Sequence, residues 1–181
     1  MWIFGYGSLM WNPGFAHETA ELATLAGYRR SFCVFSHYHR GTPGCPGLVL
    51  GLDPEEGALC RGIAFRVGNE YQQEVLAYLY EREMCGYAYK MREVTLETPQ
   101  GMICAFAFVA DPDHAQYAGC LELRETARMV MKAKGAAGLN RDYLINTVRK
   151  LETMGIVEAD LHSLLHEVEY LTGLIDQGSG I

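Results

Sequence analysis

Two stretches of this chain hold residues whose types and spacing suit chemistry. In Gly5-Tyr6-Gly7-Ser8-Leu9-Met10, two glycines follow directly on a short apolar run, Trp2 to Phe4. Glycines at such a break let the backbone bend sharply and approach a bound group closely. N–H groups exposed at the bend form a concave donor site for a carboxylate or an oxyanion. The plainer reading is a strand ending in a tight turn, and spacing alone favours it. A dinucleotide fingerprint is excluded because Met10 stands where its third glycine would be. A Walker loop is excluded because no lysine follows the last glycine.

The second stretch is Gln72 to Glu83. At about 100° per residue, Val75, Leu76 and Leu79 define one helix face, and Glu83 falls within it, about 80° from Val75. Glu74 and Glu81 fall at about 260° and 240°, towards solvent. Phase therefore selects one inward carboxylate of three. It sits in the last turn, where the negative end of the helix dipole disfavours a carboxylate. Burial and dipole both raise the pKa, which suits a general base near neutrality. The alternative is a helix that frays early and leaves Glu83 solvated.

Other residues are weaker candidates. Ser8 lacks the Gly-x-Ser-x-Gly elbow of a nucleophile, and a hydroxyl that caps the turn fits better. Cys33 with His37 or His39 lies on one strand and the following loop, as a buried structural cysteine commonly does. His162 and His166 are four apart on a helix, but Ser163 stands where a zinc protease has Glu. Arg40 either holds a substrate carboxylate bidentately or braces its loop, bracing being the preferred reading. Tyr87 and Tyr117 read as aromatic core; Tyr6, inside the glycine motif, stays open between core and substrate.

The elements needed to position these residues are legible in outline. Strands are expected at 2–4, 24–28, 31–36, 48–52 and 60–67, with a Gly/Pro loop from His37 to Pro46. Asn69 with Gln72 suggests a capping box for the helix bearing Glu83, and Gly86 ends it. Strands at 91–96 and 102–110 flank a Pro99-Gln100-Gly101 turn. Helices follow at about 120–134, 141–154 and 161–172, with Asn140 and Asp160 as caps and Gly155 and Gly173 as stops. Strands first and helices later indicate an α+β fold. A single domain over residues 1–175, with a flexible tail at 176–181, is expected.

Composition narrows the function. A net charge of −7 over 181 residues argues against nucleic-acid or anionic-membrane partners. An anionic substrate must then be recognised locally, by backbone donors and a few arginines. The six cysteines form no Cys-x-x-Cys pair, and the apolar start is too short for a signal peptide. Reduced cysteines in a cytoplasmic protein follow, and no stretch is long enough to span a membrane.

Gly5-Tyr6-Gly7-Ser8-Leu9-Met10-Trp11-Asn12-Pro13 resembles the opening of the ChaC-like γ-glutamylcyclotransferases, which degrade glutathione. Gly27-Tyr28-Arg29-Arg30, His39-Arg40-Gly41-Thr42-Pro43 running on to Pro46–Leu52, and Arg82-Glu83 followed by Gly86-Tyr87 fit the same family in the same order. The resemblance covers about residues 1 to 170. It implies a small mixed β-barrel flanked by helices, with a C-terminal helical part. It implies Glu83 as acid/base and Gly5, Tyr6, Gly7, Ser8, Leu9 and Met10 as the γ-glutamyl cradle. It further implies glutathione as substrate, with no metal, no cofactor and no obligatory protein partner. A cyclotransferase for other γ-glutamyl amines, or a non-catalytic regulatory protein using the same pocket, are the alternatives. Cys45 and Cys85 are departures that would make activity sensitive to oxidation.

Overall fold

The computed structural model describes residues 1–83 and 88–173. Within these the chain forms two compact units, one of residues 1–31 and 50–117, the other of 32–49 and 118 onward. Gly86, Tyr87, Cys85 and the expected tail at 176–181 lie outside the described residues.

The strands are β1 (Trp2–Gly5), β2 (Thr19–Ser36), β3 (Gly47–Arg66), β4 (Tyr89–Thr98) and β5 (Gly101–Ala110). They close into a barrel in the order β1-β3-β2-β4-β5. β1 runs antiparallel to β3, from Trp2↔Arg66 to Gly5↔Ile63, and parallel to β5 at Ile3↔Phe106. Its near-continuous apolar sequence reflects burial: Ile3 and Phe4 are both wholly inaccessible. β4 and β5 pair along their whole length, and a two-residue turn, Pro99-Gln100, joins Thr98 to Gly101 as expected. On β4, Val94, Leu96 and Thr98 face inward while Glu93, Thr95 and Glu97 face outward, the period-2 pattern of a strand with one wet face.

Two pairs of expected short strands are in fact two long ones. Gly27 and Gly57 sit inside β2 and β3 with φ of +80° and +81°. Left-handed glycines read locally as breaks, yet they bend a continuous strand without ending it. After a short 3₁₀ turn over Asn69–Tyr71, α1 runs from Gln72 to Glu83. Asn69 is therefore not the α-helical cap. Its side-chain oxygen accepts from Gln72 Nε2 at 2.7 Å, side chain to side chain.

The second unit carries α2 (Leu123–Lys132), a minimal hairpin of β6 (Lys134–Gly135) and β7 (Gly138–Leu139), α3 (Asn140–Thr153) and α4 (Ala159–Leu171). Ala127, Val130, Leu144, Val148, Leu151, Leu161, Leu164 and Val168 form its buried helical core. Asn140 does not cap α3. It is fully buried as the first helical residue, and its side chain exchanges two 2.7 Å hydrogen bonds with the N–H and C=O of Leu48. Those bonds satisfy backbone groups that would otherwise be buried unpaired. Asp160 likewise lies in the first turn of α4, behind Glu158 at the cap. Gly155 and Gly173 end the last two helices as expected. Among the described residues no helix is long and apolar enough to cross a membrane.

Candidate active site

β1 delivers the chain to its glycine turn. Gly5 pairs with Ile63 of β3, and a Cβ on it would stand 2.9 Å from Phe65 and 3.0 Å from Leu9. Gly5 is thus a packing glycine. Gly7 follows with φ −125° and ψ −130°, and Ser8–Met10 form one 3₁₀ turn. The carbonyl of Gly7 accepts from Met10 N–H and that of Ser8 from Asn12 N–H, each at 2.9 Å. Leu9 and Met10 are buried core. The Tyr6 ring is buried, and its hydroxyl donates to the carbonyl of Phe108 at 2.6 Å. Those three side chains face the interior. A turn of this kind leaves its opening N–H groups without a carbonyl partner inside it, as donors for a neighbouring or bound group.

At the other end of this arrangement stands the last turn of α1. Val75 and Leu79 are buried, Glu74 and Glu81 are exposed, and the Glu83 side chain keeps 18% of its accessibility. Its Oε1 is wholly buried and, among the described residues, accepts no hydrogen bond. Arg82 Nε lies 3.1 Å from that oxygen, close enough for an ion pair but without hydrogen-bond alignment. Burial raises the Glu83 pKa, and the neighbouring Arg82 charge opposes the rise. The C-terminal end of the helix dipole acts with burial.

Arg82 is the residue that sequence reasoning missed. Its Nη2 donates to Ser8 Oγ at 2.9 Å, and its Nη1 to the carbonyls of Asn12 (2.7 Å) and Pro13 (3.1 Å) and to Tyr78 Oη (2.8 Å). One planar guanidinium thus ties the glycine turn, the segment after it and Glu83 together, a task suited to the rigid donor fork of arginine. Ser8 does not cap the turn through its hydroxyl, as expected from sequence; it accepts from Arg82. The only local signal for this hub was Tyr78, four residues earlier on the same helix face.

The rival candidates have structural employment. Arg40 Nη1 donates to the carbonyls of Ala137 (2.6 Å) and Leu139 (3.2 Å) and the guanidinium lies over the Tyr143 ring, so it braces its loop. Tyr117 Oη donates to Asp53 at 2.7 Å. His162 pairs with the Glu158 carbonyl and faces Glu152 at 3.4 Å. Cys33 is fully buried and Cys45 exposed. Among the described residues, no three His, Cys, Asp or Glu side chains gather as a metal would require.

A glycine turn after the first strand, a glutamate with one buried oxygen at the end of α1 and an arginine joining them form the constellation to compare with known proteins. The family model of ChaC-like proteins matches residues 1–171. The chain belongs to the ChaC-like family. Among its members, the glutathione-specific gamma-glutamylcyclotransferase of Escherichia coli (strain K12) is 34% identical over 172 residues, covering 94% of this chain and 74% of that protein. Gamma-glutamylcyclotransferase 2-3 of Arabidopsis thaliana is 32% identical over 181 residues, covering 94% and 89%. The crystal structure of a γ-glutamyl cyclotransferase specific to glutathione from yeast matches with a TM-score of 0.84 at 25% identity, covering 94% of this chain and 98% of that one. The expected ChaC-like α+β fold, a small closed barrel with helices, is the one observed.

Proposed function

We propose that this chain is a glutathione-specific γ-glutamylcyclotransferase, converting glutathione to 5-oxoproline and Cys-Gly. Its ChaC-like relatives carry that activity in their names. The observation that carries the reading is the Arg82 guanidinium, which sets the Ser8 turn and the buried Glu83 oxygen on either side of itself.

In this reading the substrate supplies its own nucleophile, so proximity is built in. The α-ammonium, with an ordinary pKa of about 7.7–8.0, must lose a proton before it attacks. Glu83 takes it, and the freed amine attacks the γ-carbonyl carbon. The ring C–N bond forms and the carbonyl electrons move onto oxygen. Collapse of this oxyanion breaks the bond to the cysteinyl nitrogen. Overall two protons leave the α nitrogen and two arrive on the departing one, carried in turn by Glu83. Backbone N–H groups of the glycine turn hold the α-carboxylate or the oxyanion. The reaction balances with neither metal nor cofactor. Six cysteines with no Cys-x-x-Cys pair among them suit the cytoplasm. One domain through about residue 175 suits the family match over residues 1–171.

Incubating the purified protein with glutathione and assaying 5-oxoproline tests the proposal; no release would sink it. Glutathione is expected to be turned over with a far higher kcat/KM than γ-glutamyl-alanine. The reverse preference would assign the chain to other γ-glutamyl amines.

Arg82 and Ser8 supply a further test. Arg82→Lys retains charge but not the fork, and kcat/KM is expected to fall by roughly tenfold or more. Ser8→Ala removes one bond of the set and should cost only a few-fold, on the order of 1 kcal/mol. A loss in Ser8→Ala as deep as that in Glu83→Gln would instead give the serine a chemical role.

A further inference from the structure

The Gly27-Tyr28-Arg29-Arg30 stretch has so far been left without a task. Consecutive residues of a strand face opposite ways, and the two arginines of β2 are used differently. Arg29 is partly exposed, with Asp53 at 3.8 Å and Glu55 at 3.6 Å. Arg30 is only 7% exposed. Its Nε donates to the carbonyl of Tyr6 and its Nη2 to the carbonyl of Arg61, while Nη2 lies 3.8 Å from Met10 Sδ. Two of these contacts, at Tyr6 and Met10, are inside the glycine turn.

We infer that Arg30 is a positioning residue for the cradle, fixing the Tyr6–Gly7 peptide so that the Gly7 N–H is presented to an anionic oxygen of the γ-glutamyl group. The inference rests on the cyclotransferase reading. A peptide unit is planar and trans, so its N–H points opposite to its C=O. With the Tyr6 carbonyl turned to Arg30, the Gly7 N–H must point away from it. The Gly7 carbonyl is in turn bound to Met10 N–H inside the 3₁₀ turn, which fixes the next peptide as well. A cation on the carbonyl side also polarises the peptide and makes its N–H a stronger donor. It places positive charge directly behind the turn, in a chain whose net charge of −7 otherwise repels an anion. Burying a guanidinium is costly; here its position gives the cradle a fixed, polarised donor.

The test compares Arg30→Met and Arg30→Lys with wild type on glutathione, and uses Leu151→Ala in α3 as a control for lost stability. Lysine keeps the charge but, as a single point donor, cannot hold two carbonyls in the planar geometry of a guanidinium. kcat/KM is expected to fall on the order of 10² in Arg30→Met, as loss of an oriented donor does, and about tenfold in Arg30→Lys. Leu151→Ala, assayed below its own thermal midpoint, should stay within a few-fold of wild type. Where Arg30→Met does not fold, Arg30→Lys carries the comparison. The Gly7 amide proton, followed by NMR without substrate, should move upfield in Arg30→Lys as its peptide loses polarisation. Folded Arg30 variants within threefold of wild type, or an unmoved Gly7 amide, would overturn the inference. Absence of 5-oxoproline release by the wild type would instead sink the cyclotransferase reading, and the amide measurement would still decide the role of Arg30.

Discussion

Replacing Glu83 by Gln is expected to lower kcat for 5-oxoproline release by a factor on the order of 10² or more, the usual loss when a general base is removed. Glutamine keeps the size of the side chain but takes up no proton at neutral pH. The same change should leave the thermal midpoint unchanged or raise it, and the sign follows from the direction of the pKa shift. Burial raises the folded-state pKa of Glu83, so the folded protein holds this proton more tightly than the unfolded chain. The resulting penalty on stability is absent below the unfolded value of about 4.3, grows as pH rises through the folded value, and is complete above it. The gain from Glu83→Gln should therefore be present at neutral pH and vanish in acid. The acidic limb of the wild-type kcat/KM profile should lie above the ordinary carboxylate range. Glu81, exposed two residues away, is the control: Glu81→Gln should move stability by no more than about 0.5 kcal/mol and leave the rate unchanged. An active Glu83→Gln enzyme, or a folded but inactive Glu81→Gln one, would overturn the assignment.

Gly7→Val is expected to abolish productive binding, raising KM for glutathione beyond the measurable range. The reason is space, not left-handed backbone, since Gly7 has a negative φ of −125°. A branched Cβ at a buried position whose backbone must meet the substrate crowds the cradle instead. Gly5 provides the contrast. A methyl there meets Phe65 and Leu9, so Gly5→Ala should cost about 1–3 kcal/mol of stability by overpacking. Kinetic constants and thermal midpoints measured together separate the two glycines. A folded Gly7→Val protein with normal KM and kcat would reduce the turn to a structural one.

Hydrophobic phase and turn chemistry in the sequence were reliable guides, where the helix caps expected at Asn69, Asn140 and Asp160 were not. The apolar run at Trp2–Phe4, the 3.6-residue phase that set Glu83 apart from Glu74 and Glu81, and the Pro99-Gln100-Gly101 turn each depend on neighbours a few residues away. What escaped notice depends on distant partners. Barrel closure needs Ile3 beside Phe106. Asn140 is drawn from its capping role by Leu48, 92 residues away. Arg82 reaches Ser8 across 74 residues, and Arg30 reaches Tyr6 across 24. No periodicity records such pairings. The continuity of β2 and β3 through Gly27 and Gly57 is hidden for a related reason: a glycine that ends a strand and one that bends it look alike until the partner strand is known.

The placement of β1 also bears on when a newly made chain becomes competent. β1 is synthesised well before its partners, which lie about 60 and 100 positions later, at Arg66 and Phe106. Contacts of such long range form late in folding, because loop closure must precede their reward. The glycine turn hangs directly from this strand, so it has no fixed shape until β5 has been synthesised and the barrel has shut. A chain that ends before β5 therefore lacks the shaped turn that the proposed activity needs.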